Sequence, residues 1–132
     1  MSTETILCVD YNNDSSFLLT TLLDFEGFQA LSVLNANDAL VVVNKKEFDL
    51  FILDTHLPDM FGFDLCRKIR EQNQLTPIVF YSADAYPHQI QAGLDAGANA
   101  YIPKPDFDGL ILAVKRLLVA PSSQPTSRFE GQ

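Results

Sequence analysis

Cysteine is scarce in this chain, long apolar runs are missing, and basic residues never cluster into a run. There are two cysteines, Cys8 and Cys66, in 132 residues. Two thiols make no disulfide framework, and both read as small core residues of a reducing compartment. No stretch approaches the roughly 18 apolar residues that span a bilayer. The opening MSTETILC has neither a basic segment nor a long apolar one, so no secretory leader is expected. Net charge is −8, which disfavours direct binding to nucleic acid or to an anionic membrane. Neither His56 nor His88 has a cysteine or second histidine at ligand spacing, which argues against zinc. Together these absences point to a cytoplasmic protein.

What is present is an ordinary globular composition. Hydrophobic residues make up 47% and charged residues 20% of a chain whose length suits one domain. Five short apolar runs recur, at 5–9, 28–33, 50–53, 78–81 and 100–102. Two of them, LFIL and IVFY, do not alternate with polar residues, as expected of strands covered on both faces. Helical patterns lie between them. In SSFLLTTLLDFEGF, Leu18, Leu22 and Phe25 fall on one face with Leu19 and Leu23 beside them. Asn13 or Asp14 is placed to cap this helix and Gly27 to end it. Ala36, Leu40 and Val43 form a second stripe, with Asn35 or Asn37 as the cap. Leu65 with Ile69, and Ile90 with Leu94, lie one turn apart, the latter pattern stopping at Gly97. Leu110, Ile111, Val114, Leu117 and Leu118 make the cleanest amphipathic segment. The order is strand then helix, five times over. It predicts an α/β fold, a doubly wound five-stranded parallel sheet with helices on both faces. The segment 120–132, polar and proline-containing, is expected to be a disordered tail or linker.

Open parallel sheets bind ligands outside the carboxyl ends of their strands. Asp10 and Tyr11 follow the first strand, Asp54 the third, Ser82 the fourth, and Pro103, Lys104 and Pro105 the fifth. An aspartate after a strand is commonly a turn former, a serine there a cap, and a lysine a solvated residue. Their joint placement is the signal. Parallel strands would bring two acids, a hydroxyl and a lysine to one edge.

In this order and spacing the residues resemble the receiver domain of two-component response regulators. The resemblance covers roughly 4–119 and rests on Val9–Asp10, the Asp54, Pro58 and Gly62 spacing, Ser82–Ala83, and AGANAYIPKP at 96–105. It implies a flavodoxin-like sheet of order 2-1-3-4-5 and a receiver domain over 1–119. It further implies that Asp54 is the phosphoacceptor, taking a phosphoryl group from a sensor histidine kinase or phosphotransfer protein. Asp10, Asp54 and the backbone carbonyl of His56 would hold Mg²⁺. Ser82 and Lys104 would bind the phosphoryl oxygens, Tyr101 would be the aromatic that changes rotamer, and Pro105 would follow a cis peptide bond. Side chains at His56 and Asp84 would tune loss of the phosphoryl group to water, although Asp84 also reads as a cap of the fourth helix. A downstream protein partner would dock on the face of helix four, strand five and helix five. Such a protein is a signalling module and not an enzyme with a free substrate. The chemistry suits the residue types, because phosphoryl transfer to a carboxylate is mostly positioning and charge neutralisation.

The pattern departs from the family at one position. The family has two consecutive acids after the first strand, and here the second is Tyr11. A phenol is neutral near pH 7 and a poor ligand for Mg²⁺. Asn12, Asn13 or Asp14 would have to supply a substitute oxygen, although capping is the ordinary task of Asn13 and Asp14. The Mg²⁺ site is therefore expected to be weakened. The alternative is a phosphorylation-independent pseudo-receiver acting as a protein interaction module. A flavin carrier of the same topology needs a Ser/Thr/Gly-rich phosphate loop after the first strand, and DYNND has no glycine. An aspartyl phosphohydrolase places a second acid two residues after its nucleophile on the first strand, where this chain has Asn12.

Overall fold

Non-alternating apolar strands can be satisfied only between two helical layers, and the computed structural model, which describes residues 3–123, builds that sandwich. The order is β1 (Thr5–Val9), α1 (Asn13–Phe25), β2 (Gln29–Val33), α2 (Ala36–Val43), β3 (Leu50–Leu53), α3 (Gly62–Gln72), β4 (Ile78–Ser82), α4 (Pro87–Asp95), β5 (Ala100–Pro103) and α5 (Phe107–Ser123). The five strands are parallel in the order β2-β1-β3-β4-β5. β1, β3 and β4 are buried almost throughout, whereas the edge strands β2 and β5 are half-buried.

The side-chain alternation of the strands divides the core in two. Leu7, Val9, Phe51, Leu53, Ile78 and Phe80 face Ala36 and Ala39 of α2 and Leu65, Cys66 and Ile69 of α3. Ile6, Cys8, Leu50, Ile52, Val79 and Tyr81 face Leu19 and Leu23 of α1 and Leu110, Ile111 and Val114 of α5. Both thiols are free and buried. Burial pushes the Cys66 thiol up to about 11 and that of Cys8 higher still.

Several boundaries and faces differ from the sequence expectation. In α1 the buried stripe is Ser16, Leu19 and Leu23, while Leu18 and Phe25 are 58% and 88% exposed. The helix is leucine-rich around most of its circumference, and its approach to β2 selects the face. Asn12, one residue earlier than expected, caps α1, its side chain accepting a hydrogen bond from the Ser15 amide at 2.9 Å. Gly27 follows the helix at φ +96°, a conformation that L side chains avoid. Asn35 caps α2. The capping residue of α4 is Tyr86, whose amide donates to the Gln89 side chain, so Asp84 is not its cap. α5 continues to Ser123, so the first four residues of the expected tail are helical. The remainder of that tail lies outside the described residues. Among the described residues, no helix is long and apolar enough to cross a membrane.

Candidate functional site

The sheet order reverses direction between β1 and β3, and a crevice opens at that switch point. Val9 pairs with Leu53 in register, so the chain leaves both strands at the same level, with Asp10 and Asp54 side by side. The backbone pins both residues, since the Asp10 amide donates to Val33 O at 3.1 Å and the Asp54 amide to Val9 O at 3.0 Å. Lys104 arrives from the end of β5, its own amide donating to Ser82 O at 2.9 Å. The Lys104–Pro105 peptide is cis.

These placements gather charge in a small space. The Lys104 ammonium donates to Asp10 Oδ2 at 2.8 Å and to Asp54 Oδ2 at 3.0 Å. Asp10 is 2% exposed and Asp54 8%. Burial of the ammonium works to lower its pKa. The hydrogen bond with Asp10 and the nearby Asp54 charge oppose that and leave it above the ordinary lysine value. The ammonium also lies 5.7 Å from the centre of the Tyr81 ring. The remaining Asp10 oxygen, Oδ1, accepts from the Asn12 amide at 3.0 Å, and Asp54 Oδ1 accepts from the Thr55 amide at 2.7 Å.

Around this pair lies a cleft of about 260 Å³, walled by Tyr11, His56, Ser82, Ala83 and Asp84. Ser82 is fully buried. Its hydroxyl is 2.7 Å from the Thr55 hydroxyl and accepts from the Asp84 amide at 3.1 Å. The His56 ring nitrogen Nε2 and the Asp84 carboxylate hydrogen-bond across the mouth of the cleft, between the loops after β3 and β4. Tyr101 lies behind this wall. Its hydroxyl donates to the Asp84 carbonyl, its ring packs against Phe80, and burial raises its pKa.

The structure thus brings Asp10, Asp54, Ser82 and Lys104 to one rim, with Tyr101 one layer back and Pro105 beside Lys104. Tyr11 is 55% exposed and lines the cleft edge. Two participants were not anticipated from the sequence. Ser15 donates to Asp10 Oδ2 at 2.9 Å and accepts from Lys104 at 3.4 Å, and Thr55 partners Ser82. Hydroxyls near a helix start or after a strand are too common to stand out without knowledge of what faces them. Close packing also shapes the site, because a Cβ on Gly62 would stand 2.0 Å from the Asp54 carbonyl oxygen. Only glycine lets the start of α3 approach the backbone of Asp54 this closely.

Donor chemistry tests whether a cation fits. Mg²⁺ takes oxygen ligands, commonly one or two carboxylates completed by water and substrate phosphate. Asp10 and Asp54 supply two carboxylates. Among the described residues, no cluster of three or more His, Cys, Asp or Glu side chains gathers at metal-binding distance. The set therefore fits Mg²⁺ with one fewer acid than the family pattern provides.

Comparison with known proteins agrees with this geometry. The family model described as response regulator receiver domain matches residues 6–115. The chain is 35% identical over 114 residues to the response regulator ArlR of Staphylococcus aureus, covering 86% of this chain and 52% of ArlR. It thus spans about half the length of the curated relatives it matches. Among solved structures, a two-component response regulator from Clostridium difficile is 28% identical, with a TM-score of 0.87, covering 92% of this chain and 100% of that one. The response regulator TrrA of Thermotoga maritima, solved in complex with Mg²⁺ and BeF, is 29% identical with a TM-score of 0.80, covering 87% and 99% respectively. From the family match, the ArlR identity and the shared sheet order, the chain belongs to the response regulator receiver domain family of two-component systems.

Proposed function

We propose that this domain accepts a phosphoryl group on Asp54 from a sensor histidine kinase or phosphotransfer protein and passes the signal to a downstream protein. The observation that carries the reading is the Lys104 ammonium held between the carboxylates of Asp10 and Asp54 at the carboxyl edge of the sheet. An Asp54 oxygen attacks phosphorus, the bond from phosphorus to the donor nitrogen breaks, and an acyl phosphate forms. Lys104 offsets the charge that arrives. Ser82 turns its hydroxyl from Thr55 towards a phosphoryl oxygen, which draws the loop after β4 inwards. Tyr101, bonded to the Asp84 carbonyl of that loop, changes its packing as the loop moves.

Asp10, Asp54 and the His56 carbonyl would hold Mg²⁺, which when bound neutralises charge on the phosphoryl oxygens. With Tyr11 in place of an acid, that affinity is reduced, and roughly 1.4 kcal/mol accompanies each tenfold loss. The receiver unit is assigned to 1–119. Its output face is α4, β5 and α5, and it acts as a phosphoacceptor and not as a catalyst of turnover.

The test is incubation with Mg²⁺ and acetyl phosphate, read by intact mass and by response to beryllofluoride. The parent should gain one phosphoryl group, Asp54→Asn none, and Tyr11→Asp more at the same Mg²⁺ concentration. A silent parent with a responsive Tyr11→Asp would favour the phosphorylation-independent interaction module, the reading that the Tyr11 substitution supports. Silence in both would remove the phosphoacceptor reading.

A further inference from the structure

We infer that Ser15 is a positioning residue of the site, holding the Lys104 ammonium on Asp10 while Lys104 exchanges its Asp54 contact for the incoming phosphoryl group. The inference rests on the phosphoacceptor reading for its consequence and on geometry for its substance. Ser15 stands in the first turn of α1, one helical turn past the Asn12 cap. The capping bond from its amide to Asn12 Oδ1 fixes its backbone. Its hydroxyl therefore has a defined direction, donating to Asp10 Oδ2 and accepting from Lys104. Ser15, Asp10 and Lys104 close a triangle in which each member contacts the other two.

The triangle matters because of what the cleft lacks. With Tyr11 in place of a second acid, Asp10 and Asp54 are the two carboxylates that hold Lys104. When Asp54 becomes an acyl phosphate, the ammonium must leave Asp54 Oδ2 for a phosphoryl oxygen. Its fixed end is then Asp10 and Ser15, with the Tyr81 ring on another side. Ser15 and Lys104 also separate the polar cleft from an apolar cavity lined by Leu18, Leu22, Tyr81 and Phe107.

The test compares Ser15→Ala with Ser15→Thr, which keeps a hydroxyl. The first readout needs no phosphoryl donor. It is hydrogen exchange of the Lys104 ammonium, followed by ¹⁵N-edited NMR. The second is the rate of mass gain with acetyl phosphate and Mg²⁺. One hydrogen bond corresponds to roughly two- to tenfold in such rates. Ser15→Ala is expected to speed ammonium exchange and slow phosphoryl acceptance within that range, with Ser15→Thr within about twofold of the parent. Parent-like behaviour of Ser15→Ala in the exchange measurement, or equal loss in both variants, would overturn the inference. A parent that accepts no phosphoryl group, with ammonium exchange still sensitive to Ser15→Ala, would support the positioning role and instead sink the phosphoacceptor reading.

Discussion

The two edges of the sheet use polar residues in different proportions. At the amino edge, side chains satisfy backbone groups. Arg70 donates to the carbonyls of Gly97, Asn73 and Thr76 and to the Asn99 side chain, and Asn99 Oδ1 also accepts from the Ile78 amide. Asp49 likewise accepts from the Thr5 amide. At the carboxyl edge, Asp10, Asp54 and Ser82 each accept from one backbone amide, but side chains there also satisfy one another, as Lys104 does with Asp10 and Asp54, and Ser82 with Thr55. Groups that complete the backbone are committed to the fold. Groups that complete each other can exchange partners when a ligand arrives, at the cost only of the bond they give up.

This contrast can be broken in four ways. The largest effect is expected from Gly62→Ala, where the new Cβ would meet the Asp54 carbonyl oxygen. Urea denaturation should show a loss of about 3 kcal/mol or more, with phosphoryl acceptance falling as well, because the carboxyl edge itself is displaced. Arg70→Ala should cost about 2–3 kcal/mol by the same measurement but leave acceptance at the parent rate in the folded protein. A drop in that rate would erase the distinction between the edges. A pH series probes the layers between them. The buried thiols ionise less readily in the folded chain than in the unfolded one. Their contribution is thus complete below the ordinary thiol value of 9.0 and is lost as pH rises, for Cys66 up to about 11. Each thiol steepens the alkaline fall in stability by roughly 1.4 kcal/mol per pH unit within its window, and Cys66→Ala should make the slope shallower. The smallest effect belongs to Asn12→Ala. It should cost about 1 kcal/mol as a lost cap. Unlike Arg70→Ala, it should also slow acceptance, because the cap aims Ser15.

The central strands were legible because burial on both faces leaves an unmistakable mark. LFIL and IVFY contain no polar residue, and β3 and β4 are buried from end to end. The polar rim was legible as a set of residues following strands, since parallel topology forces their convergence. The buried face of α1 was not. Its leucines and phenylalanines satisfy several helical stripes, and periodicity alone does not choose among them. Ser15 and Thr55 were illegible for a different reason. A hydroxyl acquires meaning from its partner, and the partners of Ser15 lie five and 89 residues away. The same ambiguity shifted the cap of α1 from Asn13 or Asp14 to Asn12, because three adjacent residues all have capping side chains.

One contact outside the cleft ties it to the helix that follows β2. Asp59, in the loop that follows Asp54, accepts from the Ala36 amide at 3.0 Å and the Asn37 amide at 2.8 Å, clasping the first turn of α2. Those hydrogen bonds, with the carboxylate's affinity for a helix start, hold the Asp59 carboxyl below its ordinary pKa although burial works to raise it. The clasp couples the first turn of α2 to the Asp54 loop. Deuterium uptake at just those two amides would therefore serve as a remote gauge of that loop, readable without any label placed near it.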